Sequence, residues 1–256
     1  MKKQRWTALG FCLAVAVPAN ALDNNFPIAK FYPEPIAILY PGMSVAAGVN
    51  AASLAFMPSA TAMQVGLSPG QQGDEARFFT SVAHTGNKFG AGLGWEGLNY
   101  ASGMSHNGFI GVGRSFGKFG IGLALREYDM NNGFTPSLDF SLVTQIKSVD
   151  VGFVFYNMEG VVRMAGAVGT RSGSKYNLEA SVLLPPFSNL AAGYVVTFSA
   201  QIAVQPLGIH FRTSYDTFTT AFSHTLGLAF KVRKSVTLAM QFSTPRRVGG
   251  AVTVTF

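Results

Sequence analysis

Large apolar side chains alternate with small or polar ones along most of the chain after about position 60. Near the C-terminus, for example, Leu238, Met240 and Phe242 alternate with Ala239 and Gln241. A period of two residues places successive side chains on opposite faces of a β-strand. The pattern predicts about fourteen strands, with twelve as the alternative because bacterial membrane barrels have even counts. The predicted strands lie near 61–67, 76–84, 88–97, 107–115, 118–127, 136–147, 148–157, 160–169, 174–184, 190–199, 205–215, 219–231, 235–243 and 247–256.

The two faces of these strands differ in a way that predicts a membrane protein. One face carries Phe, Leu, Ile and Val, whereas the other carries mostly Gly, Ala, Ser and Thr. The outer face of a soluble β-sandwich is polar, and these small residues are too weakly charged to form one. The apolar face is therefore expected to meet lipid and the small residues to line a lumen. Because backbone groups in lipid must all be paired, the sheet must close. The predicted fold class is all-β, a transmembrane antiparallel up-and-down β-barrel.

The start of the chain has the pattern of a secretory signal. Lys2, Lys3 and Arg5 precede an apolar run over 6–17, and Pro18-Ala19-Asn20-Ala21 ends in a small-x-small site. Cleavage is expected after Ala21. The predicted organisation is a signal peptide over 1–21, an N-terminal periplasmic or plug segment over 22–60, and the barrel over 61–256. The one cysteine of the chain, Cys12, lies in the signal segment, so the mature chain is expected to form no disulfide or thiolate site.

Composition excludes several classes of protein. Charged residues make up 12% of the chain, about half the usual share, which argues against a soluble enzyme. The mature chain has no apolar run of the roughly 18 residues that a membrane helix needs. Of the 19 Lys and Arg, three lie in the signal segment, and the remaining 16 compare with 12 Asp and Glu in the whole chain. That excess is too small to predict nucleic-acid binding. We expect neither a cofactor nor a metal.

Two stretches resemble known outer-membrane proteins. Val252, Val254 and the terminal Phe256 resemble the C-terminal signature of Gram-negative outer-membrane barrels, which the barrel-assembly machinery recognises. The resemblance implies that location, with outer-membrane lipids and lipopolysaccharide as surroundings. The small-residue stretch 41–56 resembles the N-terminal region of the long-chain fatty-acid transporter (FadL-like) family. That resemblance implies fourteen strands, an N-terminal hatch inside the barrel and hydrophobic cargo.

Candidate functional residues fall into three groups. The segment 22–60, with Asn50 and Phe56, is apolar for a periplasmic tail and is predicted to fold partly into the lumen. Gly90, Gly92 and Gly94 would leave a smooth inner wall that another backbone can approach, and this strand is the candidate for a flexible or bent wall. The inward charges are predicted to form either a salt-bridge network or a selectivity constriction, because buried charges must pair; they are Arg126, Asp139, Asp150, Arg163 and Glu179.

Passive transport is the function that these features favour. His210 with Ser214, and Ser223 with His224, are the Ser–His pairs closest in sequence, but neither lies in a recognisable motif. We therefore expect no enzyme. The predicted function is passive passage of small hydrophobic or amphipathic molecules through an outer-membrane barrel. The alternative is a closed structural or surface-interaction barrel that exposes loops over 68–75, 96–107 and 127–136.

Overall fold

Strands form where the period-two alternation runs. The computed structural model describes residues 38–39, 41–68, 75–100, 103–129, 134–158, 161–170, 176–185, 187, 193–244 and 247–256. The strands are β1 (Ala60–Ser68), β2 (Glu75–Gly86), β3 (Phe89–Tyr100), β4 (Gly103–Phe116), β5 (Phe119–Asp129), β6 (Phe134–Ile146), β7 (Val149–Met158), β8 (Val161–Thr170), β9 (Tyr176–Leu183), β10 (Val195–Val204), β11 (Leu207–Asp216), β12 (Ala221–Arg233), β13 (Val236–Ser243) and β14 (Arg247–Thr255).

Each strand pairs antiparallel with its neighbours in sequence, and β1 pairs with β14 to close the barrel. The predicted barrel and its count of fourteen strands are therefore confirmed. At the seam, the Phe256 N–H donates to the Thr61 carbonyl at 2.8 Å and the Thr61 N–H donates back at 3.1 Å. The last residue of the chain thus completes the ladder. Its role as an assembly signal stays a prediction.

The large apolar side chains point outward. In β1, Met63 and Val65 are 50% and 63% exposed, whereas Gln64 between them is 1% exposed. The same alternation recurs in β3, β5 and β6. A wall that exposes its apolar side chains and buries its polar ones is what a barrel presents to hydrocarbon.

Two-residue turns join β2 to β3 and several other strand pairs at one end of the barrel, which we call the turn end. Asn87 and Lys88, with φ of 49° and 67°, form the turn between β2 and β3, and two consecutive positive φ values match the twist of paired strands. Similar short turns follow β4, β6, β10 and β12. The opposite end, which we call the loop end, carries the connection over 184–194 between β9 and β10.

Two of the three predicted loops, those over 96–107 and 127–136, and one predicted strand were wrong in extent, whereas the loop predicted over 68–75 matches the gap between β1 and β2. The loop predicted over 96–107 is mostly strand, since β3 reaches Tyr100 and β4 starts at Gly103. The loop predicted over 127–136 is likewise shortened from both sides. Backbone pairing does not need an apolar face, so the strands continue where the alternation fades. The strand predicted over 190–199 is β10, displaced to Val195–Val204, because its alternation of Thr197, Ser199 and Gln201 runs on to the turn before β11.

A short helical segment precedes β1. A 3₁₀ turn over Met43–Val45 leads into α1 (Ala46–Val49), and a second 3₁₀ turn spans Ala51–Phe56. Among the described residues, no helix has the length and apolarity needed to cross a membrane. The predicted signal peptide, and residues 22–37 and 40 of the predicted N-terminal segment, lie outside the described residues.

Candidate functional site

The segment 41–56 lies against the inner wall of the barrel. Val45, Ala46, Ala47 and Leu54 are fully buried, and they pack with Phe79, Ala83 and Phe109 from the wall. The second 3₁₀ turn packs on β3, β4, β5 and β6. Phe56 reaches the inner side of β5, where a Cβ on Gly120 would lie 2.5 Å from the Phe56 ring. The interior next to these strands is therefore filled by the chain itself.

Glycines allow the segment to approach the wall. A Cβ on Gly113 would lie 2.0 Å from the Ala51 carbonyl oxygen, and one on Gly122 would lie 2.2 Å from the Ala52 nitrogen. Both distances are far below van der Waals contact, and both neighbours are backbone atoms that cannot turn away. The glycine-rich inner face thus matches an equally small face, Ala51 and Ala52, on the segment.

The glycines of β3 belong to the same contact surface. Cβ atoms on Gly90 and Gly92 would meet the side chains of Leu54 and Ala47 in the segment, and one on Gly94 would meet Phe109 of the neighbouring β4, which packs on the segment. From Phe89 to Tyr100, β3 is paired residue by residue with β2 and with β4. The structure gives these glycines a packing role, and the idea of a flexible or bent wall stays a prediction.

Arg126 and Asp139 form a buried ion pair that holds the segment. The Arg126 Nε donates to Asp139 Oδ2, and its Nη2 donates to the Gly48 carbonyl. Asp139 Oδ1 accepts the Asn157 N–H at 3.0 Å. The Tyr156 hydroxyl donates to the Val49 carbonyl at 3.0 Å, and the Arg126 guanidinium lies 5.3 Å from the Tyr156 ring centre. One charged cluster on β5, β6 and β7 therefore satisfies carbonyls at the end of α1.

Glu179 binds the start of the described chain. Its two carboxylate oxygens accept the N–H groups of Ile38 and Leu39, both at 2.8 Å. The Asn50 side-chain amide donates to the Ile38 carbonyl at 2.8 Å. Hydrogen bonds to an ionised group are about twice as strong as neutral ones. Glu179 on β9 and the Arg126–Asp139 pair thus hold the inner chain at two separated places.

The other two predicted lumen charges stand apart from the ion pair. Asp150, which is 2% exposed, is the second residue of β7 and lies at the turn end, opposite Gln145 and Gly169. Arg163 is 6% exposed and lies opposite Tyr156, within electrostatic range of Asp216. Of the five predicted charges, Arg126 and Asp139 therefore form a direct ion pair and Glu179 binds backbone N–H groups. Asp150 and Arg163 lie at two separate positions.

Sequence reasoning missed Arg212 as a lumen residue. Arg212 lies opposite Ser199 and Thr225, all three on the inner face, and its Nε donates to Ser214 Oγ at 3.3 Å. Glu179 and Tyr156 lie within electrostatic range of its guanidinium. The alternation of His210, Arg212 and Ser214 with Ile209 and Phe211 could have revealed it.

The Ser–His candidates form no nucleophile pair. His210 and Ser214 are four residues apart on one face of β11, a Cα separation of roughly 13 Å, and Ser214 Oγ bonds Thr197 Oγ1 at 2.8 Å. Ser223 faces inward and His224 faces outward. Within the described ranges, no three His, Asp or Glu side chains are grouped to hold a metal. The absence of enzymatic activity stays a prediction.

The inner wall opposite the segment remains partly open. On β10, β11 and β12 the inward side chains of Ser199, Gln201, Arg212 and Thr225 are half-buried, whereas His210 and Ser214 on the same face of β11 and the inward glycines of β3 and β4 are buried. We call the inner face of β10–β12 the polar lane. Hydroxyl and amide groups together with one arginine make it able to hydrogen-bond a polar solute.

Comparison with known proteins gives remote structural likenesses. No family model matches the chain, and no curated protein matches it. A multiply substituted mutant of the porin of Rhodopseudomonas blastica is 10% identical with a TM-score of 0.47, covering 78% of this chain and 99% of that one. A triple mutant of the same porin is 11% identical with a TM-score of 0.45 and the same coverage. These likenesses assign the chain to no family, and the resemblance to the fatty-acid transporters stays a prediction.

Proposed function

We propose that the protein is a bacterial outer-membrane barrel that passes small amphipathic molecules by diffusion. The observation that carries the proposal is the asymmetry of the interior. The segment 41–56 fills the interior along β2–β6, while four polar side chains of the polar lane, Ser199, Gln201, Arg212 and Thr225, stay only half-buried. A barrel whose interior served only to stabilise the fold would be expected to bury the inward side chains on both sides.

The chemistry of the polar lane favours amphipathic over purely hydrophobic cargo. Ser199, Gln201 and Thr225 offer hydrogen bonds, and Arg212 adds one positive charge between them. On β12, Ala229 adds a small apolar side chain to this face, while the His210 imidazole covers Gly227. A solute with one polar and one apolar part finds both surfaces there, whereas a hydrocarbon would desolvate the polar groups and offer them no hydrogen bond.

Narrowing the polar lane should reduce flux. Ser199→Trp places a large ring on the inner face of β10 and is expected to lower the uptake rate of a small amphipathic ester into proteoliposomes several-fold. The matched control is Leu238→Trp, because Leu238 is 46% exposed on the lipid face of β13. Equal flux through both variants would contradict passage along the polar lane, and no flux through the unaltered protein would favour the closed structural barrel.

Reversing the lane's charge should change ion preference. Arg212→Glu is expected to raise the cation-to-anion permeability ratio in planar bilayers several-fold, because a lining charge sets the local concentration of counter-ions. Lys118→Glu, at the exposed turn between β4 and β5, changes the net charge equally and should leave the ratio near that of the unaltered protein. A ratio that responds equally to both variants would show that the ions do not pass Arg212.

A further inference from the structure

Exposed lysines and arginines gather at the turn end of the barrel. Each lies in a two-residue turn or within three residues of one, and they include Lys88, Arg114, Lys118, Lys147, Arg233 and Lys234. Among the described residues, the carboxylate at this end is Asp150, which points into the barrel and is 2% exposed. The outer surface of the turn end therefore carries positive charge that no described side chain at this end neutralises.

One of these cations, Arg114, lies on the lipid face itself. Arg114 is the third residue from the end of β4, opposite Phe89 on β3 and Ile121 on β5. Phe89 is 45% exposed on the outer wall, and directly paired residues share one face of a sheet. The Arg114 side chain therefore points outward, roughly 7 Å from the end of its strand. The outward positions before it on β4, Ile110 and Val112, are apolar.

An aromatic ring and a second cation adjoin the guanidinium. The Arg114 Cζ atom lies 5.3 Å from the centre of the Phe116 ring, which is a cation–π distance. Because Phe116 follows Arg114 on the same face, the guanidinium extends toward the turn end. The Lys88 carbonyl accepts the Ser115 N–H at 2.8 Å, so the turn that carries Lys88 lies beside Arg114. We call Lys88, Arg114 and the Phe116 ring the basic patch.

We propose that the basic patch binds the phosphate of an anionic membrane phospholipid. The Arg114 guanidinium donates to the phosphate oxygens, and Lys88 adds a second positive charge. A charged side chain on a lipid-facing wall is costly unless it reaches a polar partner, and a long side chain near the membrane surface extends to head-group level. The planar fork of a guanidinium matches the oxygens of a phosphate. Charge and geometry thus both fit an anionic head group.

The position of the basic patch favours a phospholipid over a free anion. Val112 and Ile110 continue the outward face of β4 from Arg114 toward the middle of the wall, so acyl chains of a lipid held at Arg114 lie against them. In outer-membrane barrels the short turns face the periplasm, which places this end in the phospholipid leaflet. The inference rests on the proposed membrane location, but it does not depend on transport through the lumen.

Lipid titration tests the proposal. The full-length protein in mild detergent is titrated with phosphatidylglycerol or with phosphatidylcholine, and native mass spectrometry counts the bound lipid. The unaltered protein should bind phosphatidylglycerol about 25-fold more tightly, since each of two cations contributes about fivefold at a membrane surface. Arg114→Gln should lower that preference about fivefold, and adding Lys88→Gln should abolish it. Lys234→Gln is the matched control, because it removes the same charge from an exposed turn of the same end, outside the patch.

The outcomes separate the patch from its alternatives, with heat-dependent gel mobility as the check that each barrel folds. Equal binding of both lipids by the unaltered protein would overturn the proposal, as would a full preference in Arg114→Gln. An equal loss in Arg114→Gln and Lys234→Gln would overturn the specific site and leave only a diffuse charge effect. Displacement of the lipid by an equal concentration of inorganic phosphate would make the patch a free-anion site and also overturn it.

Two further measurements separate a failure of this site from a failure of the proposed function. Solute flux through the unaltered protein is measured in proteoliposomes apart from lipid binding. A lipid preference without flux contradicts transport and supports the patch, whereas flux without a lipid preference contradicts the patch alone. A protein that stays dissolved without detergent contradicts the membrane location, and with it the lipid site.

Discussion

Replacing Arg126 with methionine is expected to lower the free energy of unfolding of the barrel by about 3–5 kcal/mol, the usual effect of removing one partner of a buried ion pair. The side chains of Arg126 and Asp139 are each 3% exposed. Without the guanidinium, the Asp139 carboxylate stays buried with one oxygen unpaired, and the Gly48 carbonyl loses its donor. The measurement is urea unfolding of the barrel folded in lipid vesicles, followed by tryptophan fluorescence.

The double variant Arg126→Met with Asp139→Leu distinguishes the ion pair from simple packing. The double variant removes the isolated buried carboxylate, whose cost dominates the loss in the single variant, but the Gly48 carbonyl and the Asn157 N–H still lose these partners, so it should recover only part of the loss. Lys118→Met, in an exposed turn, should stay within about 0.5 kcal/mol of the unaltered protein. A single variant as stable as Lys118→Met would mean that the pair does not hold the inner segment.

Replacing Gly113 with leucine is expected to force the segment 41–56 away from the wall and raise channel conductance. The first added carbon would lie 2.0 Å from the Ala51 carbonyl oxygen, and overpacking of this kind destabilises by about 1–3 kcal/mol. Single-channel conductance in planar bilayers is the measurement, with proteolysis of the segment as a second one.

Val112→Leu is the matched control for this variant. Val112 is 42% exposed on the lipid face of the same strand, so a larger side chain there meets only hydrocarbon, and conductance should be unchanged. A folded Gly113→Leu barrel with normal conductance would show that the segment does not obstruct the interior, and the proposed role of a plug would be abandoned.

Local sequence patterns were sufficient for the strands and their faces. The alternation through Leu123, Ala124 and Leu125, for instance, gives both the strand and its outward side, because a strand's two faces are set by the backbone alone. The inward direction of Arg126 and Arg163 follows from the same period. Strand ends were less predictable: β3 and β4 extend beyond the alternation toward Tyr100 and Gly103, since ladder pairing depends on a neighbouring backbone.

The partners of the inward residues depend on the tertiary structure. Gly48 is 78 positions from Arg126, and Ile38 is 141 positions from Glu179, separations over which no local pattern carries information. The sequence alone was enough to predict an antiparallel barrel of about fourteen strands, with twelve left as the alternative, and the side on which each residue lies, because a two-residue period is local. Which charges pair and where the segment 41–56 lies follow only from the closed barrel, because both depend on the relative positions of strands and segments far apart in the chain.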